Sequence, residues 1–142
     1  MTDSKIYIDT APFIYYLEKN TLYFDRIRNF FMQCHSDKIP LETSVITFEE
    51  YCVYPLSIGN NQSIANFEKF IEGMNINVLN IDKQIAFEAA KIRSKYQSFK
   101  ALDSIHLATA IMSGCKTFIT NDKQLRQIQE LNVVTMDDLQ ST

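Results

Sequence analysis

Short β-branched strands alternate with amphipathic helical segments along this chain, and no hairpin turn such as Asn-Gly joins any two of the strands. The first strand covers residues 5–9 and stops at an acid, after which Pro12 lies in the first turn of a helix that starts near Thr10. Strands that are joined through helices run parallel in one sheet. The pattern therefore predicts an α/β fold, a three-layer sandwich in which helices flank a short, mostly parallel central sheet.

The other elements follow from the spacing of apolar residues. Further strands are predicted over residues 39–43, 75–81, 116–120 and 132–135. Further helices are predicted over residues 22–34, 47–54, 64–74, 83–96, 102–112 and 122–131, with Pro55 interrupting the second of these and Gly114 ending the fifth. No repeat or linker divides the sequence, so residues 1–142 are predicted to form a single domain.

Charge and cysteine content limit what the chain could do. Fourteen Lys and Arg against seventeen Asp and Glu give a net charge of −3, so any nucleic-acid binding has to be local or metal-assisted. The three cysteines lack the C-x-x-C spacing of a zinc site and do not form a disulfide pattern. No segment approaches the ~18 apolar residues of a membrane span, and residues 1–5 lack a targeting sequence. We therefore expect a cytoplasmic protein.

Four acids fall at the ends of predicted elements. Asp9 and Asp122 follow strands, Asp103 opens the buried apolar helix, and Glu50 lies in the first turns of another helix. In open parallel sheets, ligands bind beyond the carboxyl ends of the strands, so residues at these places are candidates for chemistry.

Each acid also has a structural interpretation as a helix cap. Asp9 and Asp103 are good N-caps, the latter with Leu102 and Leu107 as a hydrophobic staple, and either Asn121 or Asp122 could cap the helix after Thr120. Thr47 and Glu50 have the spacing of a capping box. Taken singly, none of the four acids establishes a site.

Together, four converging carboxylates would repel one another unless a cation lay among them. Oxygen ligands without histidine or cysteine select a hard ion such as Mg²⁺ or Mn²⁺, which activates water and neutralises phosphate charge. The chemistry this implies is metal-dependent hydrolysis of phosphodiester bonds.

Four segments in order resemble the PIN-domain family of nucleases, most closely the VapC-like toxins of bacterial toxin–antitoxin pairs. The segments are IYIDTAPFIYYLE, TSVITFEEY, LDSIHLATAI and TFITNDKQL, and together they span almost the whole chain. The resemblance implies a PIN-like fold. It also implies an Mg²⁺- or Mn²⁺-dependent endoribonuclease that hydrolyses RNA by in-line attack of water, acting as the toxin of such a pair.

The resemblance carries the family's acids onto Asp9, Glu50, Asp103 and Asp122, which would bind one or two Mg²⁺ or Mn²⁺ ions, with Glu50 as a ligand or as the group that orients water. Thr10, Thr120 and Asn121 would supply polar support. Glu49 adjoins Glu50, but the two point about 100° apart on a helix, and the alignment of the segment selects Glu50.

Other candidates are less specific. His106 fits a packing or supporting role better than a metal ligand or general base, because no second histidine lies near it in the sequence. Lys123 and Arg126 are placed to meet a scissile phosphate beside Asp122. A second basic group, Lys91, Arg93, Lys95 and Lys100 around Tyr96 and Phe99, fits an RNA surface and a solvated helix face equally well.

One stretch is richer in aromatic residues than one face of two helices needs: Phe13, Tyr15, Tyr16 and Leu17, followed by Tyr23, Phe24, Phe30 and Phe31. We expect most of it to be core and part of it to be a surface for a second subunit or an antitoxin. We expect an RNA substrate, a homodimer and a cognate antitoxin protein. The alternative is a catalytically silent PIN scaffold that binds nucleic acid or a partner protein. A phosphoacceptor receiver domain is disfavoured, because no second acid adjoins Asp9.

Overall fold

The computed structural model describes residues 4–140 and contains five strands, six α-helices and two short 3₁₀ helices. The strands are β1 (Ile6–Ile8), β2 (Leu41–Ser44), β3 (Asn77–Leu79), β4 (Thr117–Thr120) and β5 (Asn132–Thr135). The helices are α1 (Thr10–Leu17), α2 (Phe24–Ser36), α3 (Val45–Ser57), α4 (Asn61–Gly73), α5 (Lys83–Lys95) and α6 (Ala101–Ser113). The 3₁₀ helices cover Lys123–Gln127 and Met136–Asp138.

All five strands form one parallel sheet in the order β3-β2-β1-β4-β5. The central strand β1 is fully buried, and it pairs with β2 on one side and with β4 on the other. Because every strand runs in the same direction, all the carboxyl ends lie at one edge of the sheet. This confirms the predicted α/β sandwich and places the residues after β1, β2 and β4 side by side.

Two hydrophobic cores cover the two faces of the sheet. Helices α1 to α4 contribute to the first core, which contains Ile8, Phe13 and Phe31. Helices α5 and α6 contribute to the second core, in which Leu107 of α6 lies with Tyr7 of β1. Successive side chains of a strand point to opposite faces, which is why Tyr7 lies in a different core from its neighbours on β1.

The aromatic stretch of α1 and α2 forms part of the first core. Phe13 and Phe31 are buried, and the partly buried rings of the stretch pack against them, namely Tyr15, Tyr16, Tyr23 and Phe30. This agrees with the expectation that most of the stretch belongs to the core. Large exposed apolar side chains lie instead on α3 and just after it, at Val53, Tyr54, Leu56 and Ile58.

Some predicted boundaries were wrong for identifiable reasons. Residues 122–131 contain only a short 3₁₀ helix, Lys123–Gln127, which ends where the buried Ile128 adopts an extended conformation. Helix α3 also continues through Pro55 to Ser57, since a proline near the end of a helix removes only one backbone hydrogen bond.

Other predictions of the fold agree with the structure. Gly114 ends α6 in the left-handed conformation with φ 87°, as a glycine C-cap does. The three cysteines are buried with free thiols. Within residues 4–140, no helix is both long enough and apolar enough to cross a membrane. Two short segments lie outside the described residues. Residues 1–3 belong to the segment predicted to lack a targeting sequence, and residues 141–142 are the end of the predicted domain.

Candidate active site

The four candidate acids lie at the carboxyl edge of the sheet. Asp9 directly follows β1, and Asp122 lies two residues beyond the end of β4. Glu50 lies in the second turn of α3, which continues from β2 without a loop, and Asp103 lies in the first turn of α6. The ends of two strands, β1 and β4, and two helices, α3 and α6, therefore supply the site.

Hydroxyl groups hold the carboxylates of Asp9 and Glu50. Asp9 Oδ2 accepts a hydrogen bond from Thr120 Oγ1 at 2.7 Å, and Asp9 Oδ1 accepts one from the Thr10 backbone N–H at 2.7 Å. The Thr10 hydroxyl donates to Glu50 Oε1 at 2.5 Å, and His106 Nε2 lies 2.9 Å from the same oxygen. These bonds connect the ends of β1 and β4 to the middle of α3.

His106 is fully buried between the acids and the sheet. Its Nε2 lies 3.4 Å from Asp9 Oδ1, and its Nδ1 lies 2.7 Å from the hydroxyl of Tyr7. Burial disfavours the charged imidazolium, but the hydrogen bond to Glu50 and the charges of Asp9 and Glu50 outweigh burial and raise the pKa of His106. The histidine is therefore an electrostatic partner of the acids rather than a packing residue alone.

The ionisation of Glu50 reflects the same contacts. Burial raises the pKa of its carboxyl, but the hydrogen bonds from His106 and Thr10 lower it by more, so the net pKa lies below the ordinary value. Glu50 is consequently a carboxylate at neutral pH.

The carboxyl group of Asp103 is affected by all three of the other acids. Partial burial raises the pKa of its carboxyl, repulsion from Asp9, Asp122 and Glu50 raises it further, and His106 offsets part of this, so the pKa reaches about 6. Repulsion of this kind requires the other carboxylates to be close to Asp103. A cation among the four groups would relieve it.

Asp122 is tied to the rest of the site through Thr120. The Asp122 backbone N–H donates to Thr120 Oγ1 at 3.2 Å, and the same hydroxyl donates to Asp9. Asp122 Oδ1 accepts a hydrogen bond from the Gln124 backbone N–H at 3.0 Å, so Asp122 caps the first 3₁₀ helix. The neighbouring Asn121 donates to the Tyr15 hydroxyl at 2.7 Å.

The donor set fits a hard divalent cation. Ligand atoms of Asp9, Glu50 and His106 all lie within 4.8 Å of one another, and Asp103 adds a carboxylate in the same electrostatic environment. Several carboxylate oxygens around one point suit Mg²⁺ or Mn²⁺ better than softer metals.

The two adjacent glutamates differ in their surroundings. Glu50 contacts Thr10 and His106, whereas Glu49 is exposed, and its charge acts on Cys52, whose pKa is raised mainly by burial. The structure thus brings Glu50, and not Glu49, towards Asp9.

The predicted capping role of Asp103 is wrong. Helix α6 begins at Ala101 and its N-cap is Lys100, which makes no side-chain capping bond, so Asp103 is the third residue of the helix. Leu102 is inside the helix and 40% exposed, and it does not act with Leu107 as a staple across an N-cap. The Asp103 carboxylate is therefore not used by a cap.

The predicted capping box of Thr47 and Glu50 is also wrong. The N-cap of α3 is Ser44, so Thr47 lies inside the helix and accepts a hydrogen bond from the Thr43 hydroxyl at 2.7 Å. The strand β2 passes directly into α3, and this leaves no room for a cap at Thr47. Of the four caps considered, those of Asp9 and Asp122 are present.

The predicted phosphate-binding residues have acidic partners near the end of the chain. Lys123 lies 3.4 Å from Asp137, and Arg126 lies 2.7 Å from Asp138. All four side chains are exposed. The sequence reasoning missed these partners, although the spacing of Thr135 and Asp138 is that of the capping box that the structure contains there.

The second basic group lies on and beyond α5. Its four cations, Lys91, Arg93, Lys95 and Lys100, are exposed. Tyr96 stacks on Phe99 at a centroid distance of 4.9 Å, and Phe99 is only 4% exposed, so this ring belongs to the core. The solvated-face interpretation therefore fits better than a stacking platform for bases.

Comparison with known proteins identifies the fold family. The family model of the PIN domain matches residues 6–131. No curated protein sequence matches the chain significantly.

Among solved structures, the chain is similar to VapBC2 from Rickettsia felis bound to a promoter DNA fragment, with 16% identity and a TM-score of 0.76 over 92% of this chain and 98% of that one. It is also similar to a toxin–antitoxin complex from Klebsiella pneumoniae, with 24% identity and a TM-score of 0.67 over 92% and 97% of the two chains. A third similar structure is VapC20 from Mycobacterium tuberculosis, described as a sarcin–ricin loop cleaving toxin, with 11% identity and a TM-score of 0.62 over 80% and 86%. Identities this low show a shared fold, and the family model covers most of the chain. The chain belongs to the PIN-domain family.

Proposed function

We propose that this protein is an Mg²⁺- or Mn²⁺-dependent endoribonuclease and the toxin of a toxin–antitoxin pair. The observation that supports this most directly is the clustering of ligand atoms of Asp9, Glu50 and His106 within 4.8 Å of one another at the carboxyl edge of the sheet. Burial, together with repulsion from the other acids, raises the pKa of the nearby Asp103 to about 6. Carboxylates that lie close together without a counter-charge lower the stability of the fold, and a bound cation would neutralise them.

Asp9, Asp103 and Asp122 would hold the metal. When bound, Mg²⁺ or Mn²⁺ would supply activation of water and neutralisation of the charge on the scissile phosphate. Thr120 fixes one oxygen of Asp9 and the backbone of Asp122 at once, so these two acids keep a set separation.

Glu50 would ligate the metal or orient the attacking water. Its Oε1 already accepts hydrogen bonds from Thr10 and His106. Within residues 4–140 no donor contacts Glu50 Oε2, so this oxygen is available to the reaction. A carboxylate in such a position can also take up the proton that water loses.

Lys123 and Arg126 would contact the RNA backbone. Lys123 forms an exposed ion pair with Asp137, which a phosphate could replace. Arg126 donates to both Asp138 and Thr135, so a phosphate would have to compete with this small network.

We further propose an antitoxin protein and a second copy of the chain as partners, and a cytoplasmic location, which the RNA substrate requires. Two of the similar structures are VapBC2 and a toxin–antitoxin complex, and this similarity supports the antitoxin proposal. The exposed apolar side chains of α3 give a face that either protein could cover.

Single-turnover cleavage of a labelled, structured RNA tests the proposed activity. Cleavage should require Mg²⁺ or Mn²⁺ and stop in EDTA, and Asp9→Asn and Asp103→Asn should abolish it. Glu49→Gln, an exposed change one residue from the site, should cleave normally. RNA binding without cleavage under any metal condition would instead favour the silent scaffold.

A further inference from the structure

Tyr7 is the middle residue of the central strand β1, and its side chain reaches His106 of the candidate site from the sheet. The residue is completely buried, and its ring stacks on Phe118 with a centroid distance of 5.3 Å and an interplanar angle of 3°. The ring also meets the His106 imidazole edge-on at 5.7 Å. The phenol is therefore held rigidly, with its hydroxyl directed at the histidine.

The Tyr7 hydroxyl connects two polar groups that lie far apart in the sequence. It lies 2.7 Å from His106 Nδ1 and 2.8 Å from Ser44 Oγ. A phenolic hydroxyl has one proton to donate and also accepts. It donates to His106 Nδ1, or it donates to Ser44 and accepts from a protonated Nδ1.

The contact with Glu50 requires a proton on His106 Nε2 in either arrangement, because Glu50 Oε1 is a carboxylate oxygen that already accepts from Thr10 and has no proton to donate. In the first, the imidazole is neutral, and its single proton must be on Nε2 because Nδ1 accepts from Tyr7. In the second, Nδ1 carries a proton as well, since a bare Nε2 would place its lone pair 2.9 Å from the Glu50 carboxylate oxygen. In each case Nε2 donates to Glu50 Oε1, at the observed distance of 2.9 Å.

This bond determines which oxygen of Glu50 is available. Oε1 accepts from Thr10 and from His106, so Oε2 is the oxygen free to act on metal or water. A protonated Nε2 also cannot ligate a cation, although its distance to Asp9 and Glu50 would otherwise suit one.

We propose that Tyr7 is a positioning residue that holds His106 as a hydrogen-bond donor to Glu50, and so keeps His106 out of the metal's ligand set. The inference rests on the proposed function only for the role of Glu50. The arrangement of Tyr7, His106 and Glu50 can be tested in the metal-free protein.

Nuclear magnetic resonance of the metal-free protein is the first test. The chain has two histidines, and the other, His35, is exposed, so the imidazole N–H resonances are easily assigned. In the wild type we expect a slowly exchanging proton on His106 Nε2. Tyr7→Phe keeps the stacked ring but removes the hydroxyl, and this proton should then exchange faster.

Tyr51→Phe is the matched control. Tyr51 is also buried, and its hydroxyl bonds Ser63 at 3.0 Å in the first core, away from His106. It should leave the His106 proton unchanged. A bare Nε2 in the wild type, or equal exchange in wild type and Tyr7→Phe, would overturn the proposal, and neither outcome depends on RNA cleavage.

Cleavage kinetics are the second test. Tyr7→Phe should reduce kcat by ~10–100-fold, the range typical of residues that orient a ligand, with little change in KM. In His106→Gln, an amide N–H replaces Nε2–H but does not reach Tyr7, and in His106→Asn the amide reaches Tyr7 but not Glu50. We therefore expect His106→Gln to retain more activity than His106→Asn.

The double variant shows whether Tyr7 acts through His106. In the His106→Gln background, Tyr7→Phe should cause no further loss of kcat, because the contact it removes is already absent. Losses that multiply would mean that Tyr7 has a general structural role, and the proposal would be wrong. If the wild type fails to cleave RNA at all, the proposed function is rejected, while the resonance test still decides the role of Tyr7.

Discussion

The charge of Asp103 should lower the stability of the metal-free protein, and Asp103→Asn should recover stability. The pKa of Asp103 rises from 3.8 to about 6, and a shift of about two pKa units corresponds to ~3 kcal/mol at full effect. Because the side chain is only half-buried, solvent screening reduces this to ~1–2 kcal/mol. Asparagine also loses the interaction of a first-turn carboxylate with the helix dipole, ~0.3–1 kcal/mol. The expected net gain is ~1 kcal/mol.

The gain depends on pH in a direction that the pKa shift fixes. An acid whose pKa is higher in the folded state binds its proton more tightly there, so its unfavourable contribution is absent below pH 3.8 and complete above about pH 6. The advantage of Asp103→Asn should therefore grow as pH rises through this interval and stay constant above it.

Urea denaturation in EDTA at about pH 4.5 and about pH 7.5 measures the effect, with Glu49→Gln as an exposed control. The stability difference between Asp103→Asn and wild type should be larger at the higher pH, whereas the control should show no such change. If Asp103→Asn were less stable than the wild type at about pH 7.5, the carboxylate would have a structural role and the inferred repulsion would be wrong.

Three further predictions concern the same site. Millimolar Mn²⁺ or Mg²⁺ should raise the Tm of the wild type in thermal melts because the ion binds only the folded acids, and the rise should be absent in Asp9→Asn; no rise up to ~10 mM metal would count against a metal site. Glu50→Gln should abolish RNA cleavage in single-turnover assays while Glu49→Gln does not, and the reverse result would mean that α3 presents its other glutamate. Thr120→Val should weaken Mn²⁺ binding measured by calorimetry, because it releases one oxygen of Asp9 and the backbone of Asp122; unchanged affinity would show that this hydroxyl does not position the acids.

The sheet and the position of the acids follow from local patterns in the sequence. Each strand is a short apolar run with a helix after it, and this order is enough to predict a parallel sheet with Asp9 and Asp122 at its carboxyl edge. The order of the strands and the contact between acids on different elements are not local properties.

Helix starts were predicted less well, because residue preference competes with chain geometry. Asp103 is a better cap than Lys100 by residue type, but the helix begins earlier, and the aspartate remains available to the site. The link from Tyr7 to His106 joins residues 99 positions apart, and no local pattern indicates such a contact. These differences fall mostly at the candidate site, where chemical demands override local preference.

The pairing of β1 with β4 has a consequence for the time at which this site can form during synthesis. The central strand is made first, yet one of its two neighbours, and the hydroxyl that holds Asp9, come from residues 117–120. Contacts between segments so distant in sequence form late and slowly. A nascent chain on the ribosome would therefore carry Asp9 and Glu50 without a complete site until β4 emerged, and prematurely terminated products would be inactive. For the proposed ribonuclease, this order of assembly would protect the translation machinery that is making it.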